Sequence, residues 1–396
     1  MPSASKSVVN RHMTSRNEVA DSPLLWRSAD CLPLSAQGCR RCAEACPVDA
    51  LTISADGPAI TSFCTDCARC AAACPTDALA LAHFPAPDAP RKISDTVFID
   101  CLKVPPSMSP ENSIRVPCLG GISTGWLLTL QNRIGDFTIT ALDRGWCIDC
   151  NAGDKSRFSA TATITDAARL LGEAGTPESL LPRIKQRPLP ADQMPAAIPP
   201  ALAEAVMSRR AFFSRAISGV AGAATSTQIQ GPGLHAPSLH KHGHVMPAEQ
   251  LRRLAALTNI SHRHARPLPS SALPNVAISQ DICRNHGVCA AVCPTGALAK
   301  HDNDGAEGIR FKALLCTDCG QCARACPEYA VRIFLAAETA PVRWETDLTS
   351  HEIKICTTCE DEFSGVPGNV CTACRKTEAL FAGRAILDEL ISKPAA

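Results

Sequence analysis

The chain has 396 residues, of which 23 are cysteines and only 4% are aromatic. Its formal net charge of +1 excludes the overall basic field of a nucleic-acid-binding protein. No apolar run reaches the roughly 18–20 residues that a membrane span needs. The first 30 residues are polar and lack a secretory signal, so we expect a reducing, cytoplasmic environment in which disulfides do not form. The cysteines are therefore expected to bind metal.

Clusters of cysteine, proline and apolar residues predict seven consecutive regions. Prolines crowd the cysteine-free stretch after Cys150, which discourages regular structure and predicts a basic, histidine-rich linker. Apolar residues at helical spacing predict two helices inside it, at Ala201–Ile217 and Ala248–Leu257. The predicted regions are a disordered N-terminus (1–30), a first cysteine module (31–92), a small α/β domain with four cysteines (93–176), the linker (177–272), a second cysteine module (273–340), a ribbon-like knuckle (341–377) and a C-terminal helix (378–396).

Two motifs of the form C-x2-C-x2-C-x3-C-P carry the most specific chemical signal. They begin at Cys64 and at Cys316 and end at Pro75 and Pro327. Three thiolates spaced by two residues on a tight loop can reach three irons of one cubane cluster, while the fourth cysteine reaches a second cluster. Each motif therefore needs a partner motif, and a variant copy lies just upstream of each.

Both upstream copies depart from the regular pattern. The first reads Cys39-x2-Cys42-x3-Cys46-Pro47, and Ala36 occupies the usual place of its leading cysteine, so Cys31 is the nearest candidate for the missing ligand. The second runs from Cys283 to Pro294 and carries His286 at the second ligand position. His286 either binds iron through a neutral nitrogen, borders a three-iron cluster, or is a surface histidine beside an incomplete cluster.

Both modules resemble bacterial dicluster ferredoxins, over roughly residues 31–85 and 275–336. The resemblance implies an α+β fold of two βαββαβ units, with strands near Ala50–Ser54 and Ala330–Phe334, and four [4Fe–4S] clusters that exchange their fourth ligands. A zinc site is the alternative for either module. The implied ligands are set 1 (Cys39, Cys42 and Cys74, with Cys31), set 2 (Cys46, Cys64, Cys67 and Cys70), set 3 (Cys283, Cys289 and Cys326, with His286) and set 4 (Cys293, Cys316, Cys319 and Cys322).

Four further cysteines lie between the modules. A strand at Thr96–Asp100, a helix at Trp126–Gln131 and a strand at Phe137–Leu142 predict a small α/β domain around them. The order of these cysteines faintly resembles the delta subunit of methyl-viologen-reducing hydrogenases, which implies a [2Fe–2S] cluster. The alternatives are a redox-active pair at Cys147 and Cys150 and a group of buried structural cysteines. This middle set consists of Cys101, Cys118, Cys147 and Cys150.

The last four cysteines form two C-x2-C knuckles on a turn-rich spacer. Four thiolates in this arrangement suit the closed tetrahedral geometry of structural zinc, and the pattern resembles a short zinc ribbon. Iron is the alternative, since thiolate tetrahedra hold either metal. A closing helix is predicted over Lys376–Ser392. This C-terminal set consists of Cys356, Cys359, Cys371 and Cys374.

The functional prediction is an electron-transfer protein that acts as a subunit or accessory of a larger redox enzyme, with redox proteins as its partners. The sequence contains no nucleophile–base pair, phosphate-binding loop or dinucleotide fingerprint, so we expect no substrate site of its own. One alternative is a thiol–disulfide reductase that uses Cys147 and Cys150, and another is an iron–sulfur assembly or regulatory protein. The six sets need 24 ligands, and His286 holds the one position that is not a cysteine.

Overall fold

The computed structural model describes residues 24–32, 39–54, 57–61, 63–90, 95–111, 113–153, 158–194, 227–228, 245–303, 305–335 and 343–380. Within these residues, short helices and small sheets combine in an α+β architecture, as predicted. One apolar core runs continuously through the middle and second cysteine regions, while the first region packs around a smaller core of its own. The helix predicted at Ala201–Ile217 lies outside the described residues.

The first region runs from residue 24 to residue 81 in the order strand, helix, strand, strand, helix, strand. Its outer strands pair antiparallel, and its central strands form an antiparallel hairpin. Leu24 is buried opposite Leu81 in the outer pair, so the disorder predicted for 1–30 was wrong from residue 24 onward. The elements are β1 (Leu24–Trp26), α1 (Arg41–Glu44), β2 (Leu51–Ser54), β3 (Gly57–Ile60), α2 (Arg69–Ala72) and β4 (Leu79–Leu81).

The middle region is a parallel four-stranded sheet with two helices, which agrees with the α/β elements that the sequence predicts. Its strand order is β6-β5-β7-β8, and Ile99, Leu127 and Leu170 are fully buried in its core. The elements are β5 (Thr96–Cys101), β6 (Ser113–Val116), α3 (Thr124–Ile134), β7 (Thr138–Asp143), α4 (Thr161–Glu173) and β8 (Arg183–Gln186).

The linker predicted over 177–272 contains strands that pair with strands of the middle and first regions. Strand β8 lies inside it and pairs in parallel with β7, so the middle region extends past the predicted boundary at residue 176. Pro182 and Pro188 flank β8, and an edge strand tolerates such prolines because one side of it needs no backbone donors. A further short strand, β9 (Thr227–Gln228), pairs with β3 of the first region.

A long helix, α5 (Ala248–Arg263), contains the predicted helix at Ala248–Leu257 and extends it by six residues. It ties three regions together rather than standing apart as a linker helix. The Glu249 carboxylate accepts hydrogen bonds from the Gly125 N–H at 2.6 Å and from a serine hydroxyl of the middle region. The Glu249 N–H donates to the Pro75 carbonyl of the first region, and Gln250 Nε2 donates to the Ala313 carbonyl of the second.

The second cysteine region repeats the element order of the first between residues 274 and 335. Its outer strands again pair antiparallel, and its central strands again form a hairpin. The elements are β10 (Pro274–Ile278), α6 (Val288–Ala291), β11 (Leu298–Asn303), β12 (Ala306–Lys312), α7 (Gln321–Ala325) and β13 (Val331–Leu335).

The C-terminal part packs against the second region, because two of its strands extend the sheet from β12. These strands are β14 (Glu345–Asp347) and β15 (His351–Glu352), followed by the hairpin β16 (Lys354–Ile355) and β17 (Glu362–Phe363). Residues 372–380 form helix α8, and the rest of the predicted helix Lys376–Ser392 lies outside the described residues. Among the residues described, no helix combines the length and apolarity needed to cross a bilayer.

Candidate metal centres

The cysteines are all free thiols, and every one of them lies in the described part of the chain. Burial is the largest cause of the raised pKa of many of these thiols, and neighbouring cysteines raise it further. Thiols must lose their protons to bind metal, so these buried groups would release protons as a metal enters.

Three of the four loops that begin the ligand motifs share one backbone conformation. In each, the second and fourth residues after the first cysteine have φ between +50° and +73°. These pairs are Asp66 and Ala68, Asn285 and Gly287, and Asp318 and Gly320. Ala68 has a side chain in this left-handed region, which costs about 1–2 kcal/mol. The residue between each pair is a ligand position, so His286 occupies the same backbone place as Cys67 and Cys319.

A second repeated feature lies at the four Cys-Pro corners. The third residue after each of these cysteines has φ between +49° and +67°, and these residues are Asp49, Asp77, Gly296 and Tyr329. The turn lets the Ala50 N–H donate to Cys46 Sγ at 3.2 Å, and the Ala330 N–H donate to Cys326 Sγ at 3.4 Å. Such N–H donation to sulfur tunes the reduction potential of an iron–sulfur cluster.

Set 1 gathers around Cys74. Burial raises the pKa of Cys31 to about 11, with further contributions from the charges of Cys74 and Cys39. Burial likewise raises the pKa of Cys42 to about 12, with Cys39, Cys74 and Cys31 as its next neighbours. The structure therefore places Cys31 beside the other members of set 1, where the sequence suggested it as a substitute for a cysteine at position 36.

Set 2 lies beneath the first region's small sheet. Its four cysteines line one cavity together with Leu24, Leu51 and Ile60. Burial raises the pKa of Cys70 to about 12, and that of Cys64 to about 11. Cys42 of set 1 also raises the pKa of Cys70, so sets 1 and 2 are direct neighbours.

Set 3 contains the histidine. Burial raises the pKa of Cys289 to about 11, and the neighbouring Cys283 and Cys326 raise it further. The His286 Nε2 lies 3.1 Å from Glu328 Oε1, and the imidazole side chain is about a third exposed. Metal-binding histidines commonly direct their second nitrogen to a carboxylate, which fixes the tautomer and the orientation of the ring. Sequence reasoning missed Glu328, although it follows directly after the Cys-Pro pair.

Set 4 is the more buried half of the second region. Burial raises the pKa of both Cys316 and Cys322 to about 12. The neighbouring Cys293 and Cys319 raise the pKa of each of these thiols further. Cys289 of set 3 also raises the pKa of Cys322, so sets 3 and 4 are adjacent, as sets 1 and 2 are.

The middle set is held by a buried ion pair. Arg144 donates from Nη2 to Asp100 Oδ2 at 2.5 Å, and both side chains are at most 2% exposed. The Cys101 N–H also donates to Asp100 at 2.9 Å, so this pair fixes the end of β5 that carries the cysteine. A buried ion pair with one partner removed is strongly destabilising. No local sequence pattern predicts this ion pair.

The cysteines of the middle set interact with one another. Burial raises the pKa of Cys118 to about 12 and that of Cys147 to about 11, and both thiols feel the charge of Cys101. Cys150 Sγ accepts a hydrogen bond from Lys103 Nζ at 3.7 Å. A nucleophilic cysteine of a thiol–disulfide oxidoreductase has a lowered pKa, and Cys147 has the opposite.

The C-terminal set has the tightest geometry. Its four Sγ atoms all lie within 4.8 Å of one another, and Cys359 Sγ is 3.8 Å from Cys371 Sγ. Zinc–sulfur bonds of about 2.3 Å at tetrahedral angles put sulfurs about 3.8 Å apart. The Cys371 N–H donates to Cys356 Sγ at 3.2 Å, which lowers the pKa of Cys356 to about 6. These four residues fit a tetrahedrally coordinated metal ion.

The C-terminal knuckle packs directly on the loop that carries His286. Asn285 Nδ2 donates to Ser364 Oγ at 2.7 Å, and Ser364 Oγ donates to Glu307 Oε2 at 3.0 Å. Gly365 has φ +73° and lies against Arg284, where a Cβ would come within 2.6 Å of the Arg284 carbonyl carbon. Set 3 is therefore supported from outside its own region.

Comparison with known proteins gives one functional statement. A family model described as a 4Fe-4S dicluster domain matches residues 275–327. The matched segment contains every member of sets 3 and 4, including His286. Among curated proteins, none matches this chain. The match supports iron–sulfur binding of the 4Fe–4S type and a ferredoxin-like fold in this part of the protein.

Proposed function

We propose that this chain is a cytoplasmic iron–sulfur electron-transfer protein with two dicluster ferredoxin modules, serving a larger redox enzyme as a subunit or accessory. One observation carries the proposal: the first and second regions share their element order, strand pairing and left-handed loop positions. The family match supports the chemistry of the second region, and the shared backbone extends it to the first.

The residues present fit four cubane clusters. Sets 2 and 4 each bring four cysteines together, with three on one loop and the fourth from the partner motif. Bound [4Fe–4S] clusters supply one-electron transfer, and their potentials follow from burial and from hydrogen bonds to sulfur. In this chain, the Ala50 and Ala330 N–H groups donate those hydrogen bonds, and the packed apolar side chains exclude water.

Set 3 is proposed to use His286 as its fourth ligand. The loop conformation places His286 at a cysteine position, and Glu328 holds its Nε2. That arrangement leaves Nδ1 as the nitrogen for iron. Nitrogen ligation raises the reduction potential of a cluster, as in Rieske centres, so set 3 would be the most easily reduced of the four. A three-iron cluster is the competing outcome.

The two remaining sets are proposed to hold other metals. The middle set would bind a [2Fe–2S] cluster beside Lys103, and the C-terminal set would bind one zinc ion in a structural role. The 3.8 Å sulfur–sulfur distance favours a single tetrahedral ion at the C-terminal set. The pKa of Cys147, raised by burial to about 11, disfavours the thiol–disulfide reductase alternative.

Metal analysis of anaerobically purified protein tests the proposal. Four cubanes predict about 16 irons and as many labile sulfides per chain, before the middle set is counted. One zinc is expected in addition. An iron content below about 12 would refute the two-module assignment. Rapid transfer of the iron to an apo-ferredoxin would instead favour the assembly-protein alternative, whereas stable, reversible reduction supports an electron carrier.

A further inference from the structure

The two cysteine regions meet at their ligand loops. Arg41 of α1 donates a hydrogen bond to the Asp318 carbonyl, and its guanidinium lies 3.9 Å from the Asp318 carboxylate. Arg41 is adjacent to Cys42 of set 1, and Asp318 is adjacent to Cys319 of set 4. Cys319 is also among the groups that raise the pKa of Cys39. Sets 1 and 4 therefore face each other across the boundary between the regions.

The first region meets the middle region at another ligand loop. Cys67 of set 2 and Cys118 of the middle set belong to one small buried cluster. Gly121 lies against the Cys67 carbonyl and the Ala68 side chain so closely that a Cβ at this glycine would overlap both. Arg69 Nη1 donates to the Gly153 carbonyl at 3.2 Å across the same boundary. The glycine allows the two backbones to approach, and Cys67 and Cys118 share one buried cluster at this contact.

We propose that the five sets form one continuous redox series, in the order set 3, set 4, set 1, set 2 and middle set. This inference rests on the proposed function and adds an order and an end point to it. The contact between Arg41 and Asp318 joins set 1 of the first cysteine region to set 4 of the second. The middle set forms one end of the series. Each step moves one electron, oxidising the iron of one set and reducing that of the next, with no bond or proton transferred. A one-electron redox protein supplies the electrons.

The order has a consequence for the middle set. Sets 1, 2 and 4 each have a neighbour on two sides, so they lie inside the series. In the described part of the chain the contact of the middle set is with set 2, and its loop carries the exposed residue Ile148. Electrons that enter at one end of the series, the middle set or set 3, would therefore leave the protein at the other end.

Electron paramagnetic resonance of the dithionite-reduced full chain tests the junction between sets 1 and 4. The signal of set 1 is identified as the one that Cys42→Ser abolishes. Neighbouring paramagnets split and broaden each other's signals, so set 1 is expected to show splitting from set 4. Cys316→Ser should remove that splitting, whereas the matched variant Cys283→Ser, which disables set 3 in the same region, should leave it unchanged.

A second pair of variants keeps the test decisive if Cys316→Ser disturbs folding. Arg41→Glu places a carboxylate opposite Asp318 and should weaken the splitting while the iron content stays unchanged. Arg40→Glu alters the exposed neighbouring arginine and should have no effect. Set 2 also borders set 1 and splits its signal, so the decisive result is the change that set 4 variants cause: wild-type protein with about 16 irons, in which Cys316→Ser leaves the set 1 signal unchanged, would overturn the series but leave the proposed function standing. Wild-type protein with about 8 irons would overturn the proposed function itself.

Discussion

The first and second cysteine regions share their order of helices and strands but depart from the regular ligand motif in two different ways. In the second region the ligand loop keeps its left-handed positions, and a histidine replaces the cysteine between them. In the first region the leading cysteine is absent, and Cys31 reaches set 1 from the end of the 3-10 helix Ser28–Asp30. The regular loops, which carry sets 2 and 4, are closely alike. The two regions therefore have the same strand–helix order and one regular ligand loop each, and they differ in the ligand loop that lies upstream.

Disabling one regular loop in each region should have the largest effect, and it tests whether the two copies are equivalent. Cys67→Ser and Cys319→Ser each remove a ligand from a buried set, so each is expected to lower the iron content by about four per chain. Iron and labile sulfide assays measure the loss. A loss in Cys319→Ser alone would mean that only the second region binds clusters.

Replacing Cys31 tests the unusual loop of the first region. Cys31→Ser leaves set 1 with three cysteines, so we expect loss of one cluster or its conversion to a three-iron form, detected as a signal in the oxidised protein. Ser28→Ala, which changes an exposed residue of the same 3-10 helix, is the control. Unchanged iron content and spectra in Cys31→Ser would show that set 1 draws its fourth ligand from elsewhere.

Converting the histidine to cysteine should make the second region regular. His286→Cys is expected to keep the iron content and to shift the potential of set 3 downward, because thiolate replaces a neutral nitrogen. A redox titration followed by electron paramagnetic resonance measures the shift. His262→Cys introduces the same residue on the exposed face of α5 and should leave every potential unchanged. The idea of histidine ligation fails if His286→Cys also has no effect.

The smallest expected effect concerns the contact between set 3 and the C-terminal knuckle. Ser364→Ala removes the acceptor of the 2.7 Å hydrogen bond from Asn285, which is worth about 1 kcal/mol. We expect set 3 to lose iron to a chelator faster, while set 1, which lies in the other cysteine region, keeps its rate. Thr358→Ala, an exposed change on the same knuckle, is the control. Equal rates for Ser364→Ala and wild type would show that the knuckle does not stabilise set 3.

The proposed ligand sets follow from the sequence alone, because metal chemistry fixes both the residue type and the spacing. The strands at Thr96–Asp100 and Phe137–Leu142 were predictable as well, since buried parallel strands are apolar runs. Strand β1 was missed because Leu24–Trp26 is short and gains its stability only by pairing with residues more than fifty positions away. Strand β8 was missed because prolines flank it, and because it is stabilised by pairing with β7, which lies far from it in sequence.

The junctions between regions could not be predicted either. Arg41 and Asp318 are 277 positions apart, and neither cysteine motif that contains them indicates a contact with the other. Glu249 reads as a surface residue of an amphipathic helix, but it is buried where α5 binds the middle region, and this burial raises its pKa. Tertiary packing alone brings such groups together, so no local pattern reports them.

Native mass spectrometry of the intact, anaerobically purified chain tests the central claim most directly, because it counts clusters per molecule. Two equivalent dicluster regions predict a main species that carries the mass of four [4Fe–4S] clusters, or of three with one three-iron cluster at set 3, together with the metals of the middle and C-terminal sets. A main species with two cubanes would contradict the claim, if Cys67→Ser leaves this number of clusters unchanged and Cys319→Ser lowers it.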